Sequence, residues 1–234
     1  MNSKIQNFKN KESFKIEDIA ELVDILRSED GCAWDREQTH KSVRNGIIEE
    51  TYEFIEGLDS DDKELMQEEL GDVVFQVFFH AQIAKENGNF DINDIADGIC
   101  KKMILRHPHV FGDVSVRDSK EVLQNWYNIK KNEKSRSTVG KQLGSVPKTL
   151  PSLIRAEKLL SRYKKEGGNV EKDKCKLIEE ILSKANNLKE DITSENIGEL
   201  LFAVTNLSYV CDINSEQSLY EKNESFVSEK TKEL

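Results

Sequence analysis

Five carboxylates pose the first chemical question. Glu49-Glu50-x-x-Glu53 is followed by Glu69-x-x-Asp72, and on an α-helix residues three or four apart stand on one face. Each group would then form a patch of oxygen donors, and two such patches meeting across a helical hairpin would suit a divalent cation. With 44 acidic residues in 234, the same pattern also arises by chance on solvated helical faces. The neighbours narrow this. Glu49 and Glu50 follow Ile47-Ile48, and Asp72 precedes Val73-Val74-Phe75, so some of these carboxylates border the hydrophobic face. Buried anions without partners are costly and repel one another, whereas a divalent cation neutralises them. Oxygen-only ligands select Mg²⁺ or Mn²⁺ over zinc. Mg²⁺ held by carboxylates keeps waters and accepts phosphate oxygens, which directs the reading towards a phosphorylated substrate.

A cationic set supplies the complement. Lys102 and Arg106 are four apart, as are Trp126 and Lys130, so each pair shares a helical face. Beside a carboxylate-metal cluster the cations would hold a polyphosphate, and Trp126 would stack on a base. The spacing alone equally allows solvated cations and a tryptophan packed in the core.

These residues need helices to position them. Apolar residues from Phe14 to Leu26 recur at helical spacing and predict a first helix. The loop Gly31-Cys32-Ala33-Trp34-Asp35 leads to a second, near Gln38 to Leu58, which carries Glu49, Glu50 and Glu53. Asp59-Ser60-Asp61-Asp62 breaks it. Asp61 with Glu64 then fits a capping box for a third helix, which runs to about Glu86 and carries Glu69 and Asp72. So short a connection makes an antiparallel hairpin. A fourth helix, about Ile92 to Leu105, is stopped by His107-Pro108-His109. A fifth opens with Asp118 and Glu121 and runs to about Lys134.

The second half contains a weak copy of the first. At an offset of 127 residues, Leu70-Gly71-Asp72-Val73-Val74-Phe75 pairs with Ile197-Gly198-Glu199-Leu200-Leu201-Phe202, and Glu53-Phe54-Ile55 with Glu180-Ile181-Leu182. The copy ends opposite His107, so the fifth helix has no counterpart. The expected organisation is a polar tail over residues 1–13, a catalytic helical domain over 14–134, a linker over 135–152 and a degenerate, truncated copy over 153–234.

Composition sets the outer limits. Lys plus Arg number 34 against 44 acids, a net charge of −10, which argues against a general nucleic-acid binder. The four cysteines lie far apart and read as reduced thiols, and the four histidines show no zinc spacing. His107 and His109 read as loop and cap residues. No apolar run approaches the roughly 20 residues that span a bilayer. The expectation is an all-α cytoplasmic protein, with no membrane and no nucleic-acid partner.

As a set, Gly31-Cys32-Ala33-Trp34-Asp35 with Gln38-Thr39, Glu49-Glu50-Thr51-Tyr52-Glu53, Glu69-Leu70-Gly71-Asp72 and Arg106-His107-Pro108-His109-Val110-Phe111 resemble the MazG family of nucleoside triphosphate pyrophosphohydrolases. Leu150-Pro151-Ser152-Leu153-x-Arg155-Ala156-x-Lys158 is similar to the stretch that joins two MazG-type domains in that family. The resemblance implies an all-α MazG-type bundle, a homodimer, and Mg²⁺-dependent cleavage of a nucleoside triphosphate into monophosphate and pyrophosphate by metal-activated water. It assigns catalysis and Mg²⁺ ligation to Glu49, Glu50, Glu53, Glu69 and Asp72, without saying which is the general base. Lys102, Arg106, Trp126 and Lys130 fall on its phosphate- and nucleotide-contacting positions.

The second copy departs from that pattern. At the 127-residue offset Lys176, Leu177 and Asn196 stand for Glu49, Glu50 and Glu69, while Glu229 and Glu233 stand for Lys102 and Arg106. Only Glu180 keeps its acid unchanged, with Glu199 for Asp72. The copy is therefore expected to be structural. Two alternatives stay beside the main reading: a narrow dUTP- or dCTP-type pyrophosphatase, and a non-catalytic helical interaction module whose acids form a solvated face.

Overall fold

A computed structural model of the chain describes residues 3–133 and 138–232. The described residues form thirteen helices and no strand, and none of the helices is long and apolar enough to cross a membrane. The chain divides into two compact units, Met1–Val122 and Leu123–Leu234.

The first unit contains α1 (Ser3–Lys9), α2 (Asp18–Leu26), α3 (Ala33–Glu37), α4 (Gly46–Asp59), α5 (Lys63–Glu86), α6 (Ile92–Arg106) and α7 (Pro108–Phe111). Its core is Val23, Phe79 and Ile83, with Ile19, Val43, Phe75 and Phe78 packed around them. Burying side chains of this size contributes roughly 1.5–3 kcal/mol each, and α2 is thereby fixed against α5. Three of the six apolar residues in the run Val73–Phe79 belong to this core: Phe75, Phe78 and Phe79.

Local chemistry moves several boundaries. The helix expected from Gln38 begins at Gly46, because Thr39, Ser42 and Gln38 bond one another instead. Ser42 Oγ donates to Gln38 Oε1 and accepts from the Thr39 N–H, the competition with helix that such side chains offer. The N-cap of α5 is Asp62 rather than Asp61: its carboxylate accepts from the N–H groups of Glu64 and Leu65. Asp61 instead makes the turn, at φ 54°. The polar N-terminal stretch contains α1, joined to α2 by a Lys4–Asp24 ion pair. Pro108 both stops α6 and opens α7, where its missing N–H costs nothing.

Helix α8 (Ser119–Glu133) crosses the division between the units. Asp118 caps it by accepting from the Glu121 N–H, while the Glu121 carboxylate accepts from the Arg117 N–H. Lys134, the expected end of this helix, lies outside the described residues, as does the start of the expected 135–152 linker. The rest of that stretch contains α9 (Val139–Gly144), capped by Thr138.

The second unit continues with α10 (Ser152–Lys165), α11 (Lys174–Glu190), α12 (Ser194–Val210) and α13 (Ser215–Thr231). Helices α11 and α12 form a hairpin that stands, at the 127-residue offset, where α4 and α5 stand in the first unit. Leu177, Thr205, Val146, Gln142 and Ala203 are the most buried of the described residues in the second unit. Leu177 holds the place of Glu50, so an apolar side chain fills the position that carries a carboxylate in the first hairpin.

Candidate active site

The α4–α5 hairpin is zipped by two close approaches. A Cβ on Gly57 would fall 2.9 Å from the Met66 backbone nitrogen, and one on Gly46 would fall 2.6 Å from Gln76 Nε2. The first, a backbone contact, helps fix the register of the two antiparallel helices near the C-terminal end of α4, while the second brings the Gln76 side chain against its N-terminal end. Glu50 and Glu53 lie between them on α4, opposite Glu69 and Asp72 on α5. Carboxylate oxygens of Glu50, Glu69 and Asp72 accordingly come within 4.8 Å of one another.

Burial makes this cluster more than a solvated face. Glu69 is only 7% exposed, and its Oε2 is buried without a hydrogen-bond partner. The Glu69 carboxyl is pushed above the ordinary range, first by burial and then by the negative charges of Glu53 and Asp72. Glu50 is raised for the same reasons, burial first, then Asp72 and Glu53. The nearby Gln76 side chain opposes that rise. A raised pKa in both groups means that the anionic forms repel each other and lack compensating charge. A cation among them removes that penalty, and an all-oxygen donor set suits a hard divalent ion.

The five acids expected from sequence are thus placed unequally. Glu50, Glu69 and Asp72 form the cluster, and Glu53 is close enough to raise two of its members. Glu49 is exposed on α4 and stands outside the group of three. Lys102 and Arg106 sit one turn apart at the end of α6 with contrasting burial: Lys102 is exposed and Arg106 only 5% exposed. Trp126 and Lys130 belong to the second unit, where Lys130 Nζ lies over the Trp126 ring at 4.5 Å from its centroid.

Two supporting residues escaped the sequence reading. Gln76 had a signal, as the one polar residue in Val73–Phe79 and four residues after Asp72. Arg27 had none. It is 8% exposed, and its Nη1 donates to the Asp35 and Gln38 carbonyls at 2.5 and 3.2 Å. The guanidinium thereby holds α3, which occupies part of the expected Gly31–Asp35 loop, in place ahead of α4. Nearby, His40 and His80 stack with their Nδ1 atoms 2.9 Å apart, which requires one ring to donate and the other to accept.

An all-α hairpin with opposed acids that could hold a metal ion narrows the chemistry, and comparison with known proteins gives the class. Residues 38–111, which contain the hairpin, match the MazG nucleotide pyrophosphohydrolase domain. The Escherichia coli K12 nucleoside triphosphate pyrophosphohydrolase is 37% identical over 221 residues, 91% of this chain and 84% of that protein. The Thermotoga maritima nucleoside triphosphate pyrophosphohydrolase/pyrophosphatase MazG is 38% identical over 215 residues, covering 90% and 82%. Bacillus subtilis YabN is 51% identical over 138 residues, 59% of this chain and 28% of that longer protein. The chain belongs to the MazG family of nucleoside triphosphate pyrophosphohydrolases.

Proposed function

We propose that the chain hydrolyses nucleoside triphosphates between the α and β phosphates, releasing a monophosphate and pyrophosphate, at the hairpin of α4 and α5. The observation that carries this reading is the buried, unpartnered Oε2 of Glu69 beside the oxygens of Glu50 and Asp72. Such a group fits Mg²⁺ or Mn²⁺, with Glu53 and Glu49 as the remaining donors on α4. When bound, the ion neutralises phosphate charge and lowers the pKa of an attacking water.

The chain's own residues do the rest. Gln76 lies near Glu50 and favours its anionic form, the form that ligates a cation. A carboxylate oxygen not taken up in ligation accepts the proton of the water. Lys102 and Arg106 are assigned to the phosphate oxygens, and Arg106 is already ordered by burial. Trp126 and Lys130 are assigned to the nucleotide on the strength of the family resemblance. The apolar side chains left exposed on the hairpin, among them Tyr52, Ile55, Leu58 and Leu70, support a homodimer.

Phosphorus NMR with a panel of ribo- and deoxynucleoside triphosphates tests the reaction, first with Mg²⁺ and then with chelator. Monophosphate and pyrophosphate appearing only with metal are the expected products. Diphosphate and orthophosphate would refute the bond assignment, and an inert protein would refute the enzyme.

A further inference from the structure

The second unit contains a cavity of about 200 Å³ whose walls are cationic. Lys130 and Lys131 line it from α8, and Lys158, Arg162 and Lys165 from α10. On α10 these three recur at four- and three-residue steps, so one helical face carries them all. No carboxylate is among the described residues that line the cavity. Glu166, just behind it, is committed: it accepts from Lys131 Nζ at 2.7 Å and from the Tyr127 hydroxyl at 2.6 Å. With Lys131 offset by Glu166, four further cations, Lys130, Lys158, Arg162 and Lys165, line this one cavity in a chain of net charge −10.

The walls are also organised. Arg162 Nη1 donates to Ser145 Oγ and to the carbonyl and side-chain oxygens of Gln142, which fixes the position of the guanidinium in the cavity wall. Lys165 lies over the Tyr127 ring at 5.0 Å, as Lys130 does over Trp126 at 4.5 Å. The aromatic faces therefore hold two of the ammonium groups over the cavity wall.

We propose that this cavity binds a chain of phosphate groups without a metal ion, using Lys158, Arg162 and Lys165 as its principal contacts. Whole small-molecule ligands fill pockets of roughly 300–1,000 Å³, so a cavity of about 200 Å³ suits a phosphate chain better than an entire nucleotide. Two sources share that chemistry, free pyrophosphate and the phosphate tail of a nucleotide. Trp126 and Lys130 also belong to the contacts assigned above, and to that extent the inference rests on the proposed function. The α10 cations do not.

Isothermal titration of the full chain in chelator, at low ionic strength, tests it with pyrophosphate, a non-hydrolysable nucleoside triphosphate and sulfate. Pyrophosphate is expected to bind saturably, and more tightly than sulfate. In the variant with both Lys158→Ala and Lys165→Ala its affinity falls by roughly tenfold or more, since charge-assisted contacts to phosphate are being removed. Both lysines are exposed, so the fold survives, and the corresponding double arginine variant restores binding. Tighter binding of the nucleotide than of pyrophosphate identifies a nucleotide tail as the source; equal or weaker binding identifies free pyrophosphate.

Asp72→Asn leaves this binding intact while removing the proposed hydrolysis, so the two readings fail separately. Absence of binding in chelator, equal binding of sulfate, or an unchanged affinity in the double alanine variant would each overturn the inference.

Discussion

Lys184 Nζ lies 2.5 Å from Glu199 Oε2, and at the 127-residue offset these two residues correspond to Gly57 and Asp72 of the first hairpin. Asp72 faces two further carboxylates, whereas its counterpart faces an ammonium group on the opposing helix. The hydrogen bond to Glu199 raises the Lys184 pKa, which keeps the ammonium charged. One lysine thus supplies in the second hairpin the positive charge that, on the proposed function, a cation supplies in the first.

Glu180→Gln and Lys184→Ala should therefore leave divalent-metal binding and nucleotide turnover within about twofold of the parent protein. Both members of the Lys184–Glu199 pair are partly exposed, which limits the stability cost of Lys184→Ala to below about 1 kcal/mol. A Mn²⁺ titration of the full chain, followed by electron paramagnetic resonance, checks this. Loss of metal binding on replacing Glu180 would move the site to the second hairpin.

In the first hairpin the same experiment should give the opposite result. Glu53→Gln or Asp72→Asn should lower turnover by roughly 100-fold or more while the far-ultraviolet circular dichroism stays that of the parent. Thermal stability gives a readout apart from activity. Metal binding only the folded state adds about 2.7 kcal/mol at a hundred times its dissociation constant, so Mg²⁺ should raise the melting temperature of the parent and much less that of Asp72→Asn. Full activity in either variant would defeat the metal-site reading.

The sequence made the helical class and the hairpin legible because period and caps are local signals. Two acidic patches, Glu49-Glu50-x-x-Glu53 and Glu69-x-x-Asp72, could be expected to meet since a short turn forces the two helices to run antiparallel. What stayed hidden depended on tertiary contacts or on small competing bonds. Nothing in the spacing separates exposed Glu49 from buried Glu69, because burial follows from the Gly57–Met66 and Gly46–Gln76 approaches. The late start of α4 reflects side-chain bonds among Gln38, Thr39 and Ser42 that compete with the helix. Arg27 reads as an ordinary surface cation until its partners 8, 11 and 59 residues away are seen.

Gly31 tests how tightly the loop ahead of α4 is closed. A Cβ there would stand 2.1 Å from the Ile25 carbonyl oxygen and 2.5 Å from that of Leu26, and the neighbouring Cys32 N–H already donates to Leu26 at 2.7 Å. Since backbone rather than a flexible side chain must give way, Gly31→Ala should cost about 1–3 kcal/mol in urea unfolding. A change below 0.5 kcal/mol, roughly the noise of a neutral surface substitution, would mean that the turn has room.

Arg27 and Glu86 give the structure a defined response to acid. Arg27 Nε and Nη2 donate to the Glu86 carboxylate at 2.9 and 2.7 Å, and the hydrogen bond from Arg27 is the main cause that holds Glu86 below its ordinary value of 4.5. The native state then binds fewer protons than the unfolded chain just below that value. The stabilisation from Glu86 is complete above pH 4.5 and is lost as the pH falls through the lowered native pKa. Glu86→Gln should accordingly melt below the parent at pH 7, and the gap should close under acid conditions. Arg27→Met should cost more, about 2 kcal/mol or above, because it also strips the Asp35 and Gln38 carbonyls of a buried donor. That larger loss should persist in acid, since those carbonyls do not titrate. Melting curves of the three proteins from pH 7 to pH 3 separate the two contributions. A Glu86→Gln gap that does not change with pH would show that the carboxylate contributes through packing rather than charge.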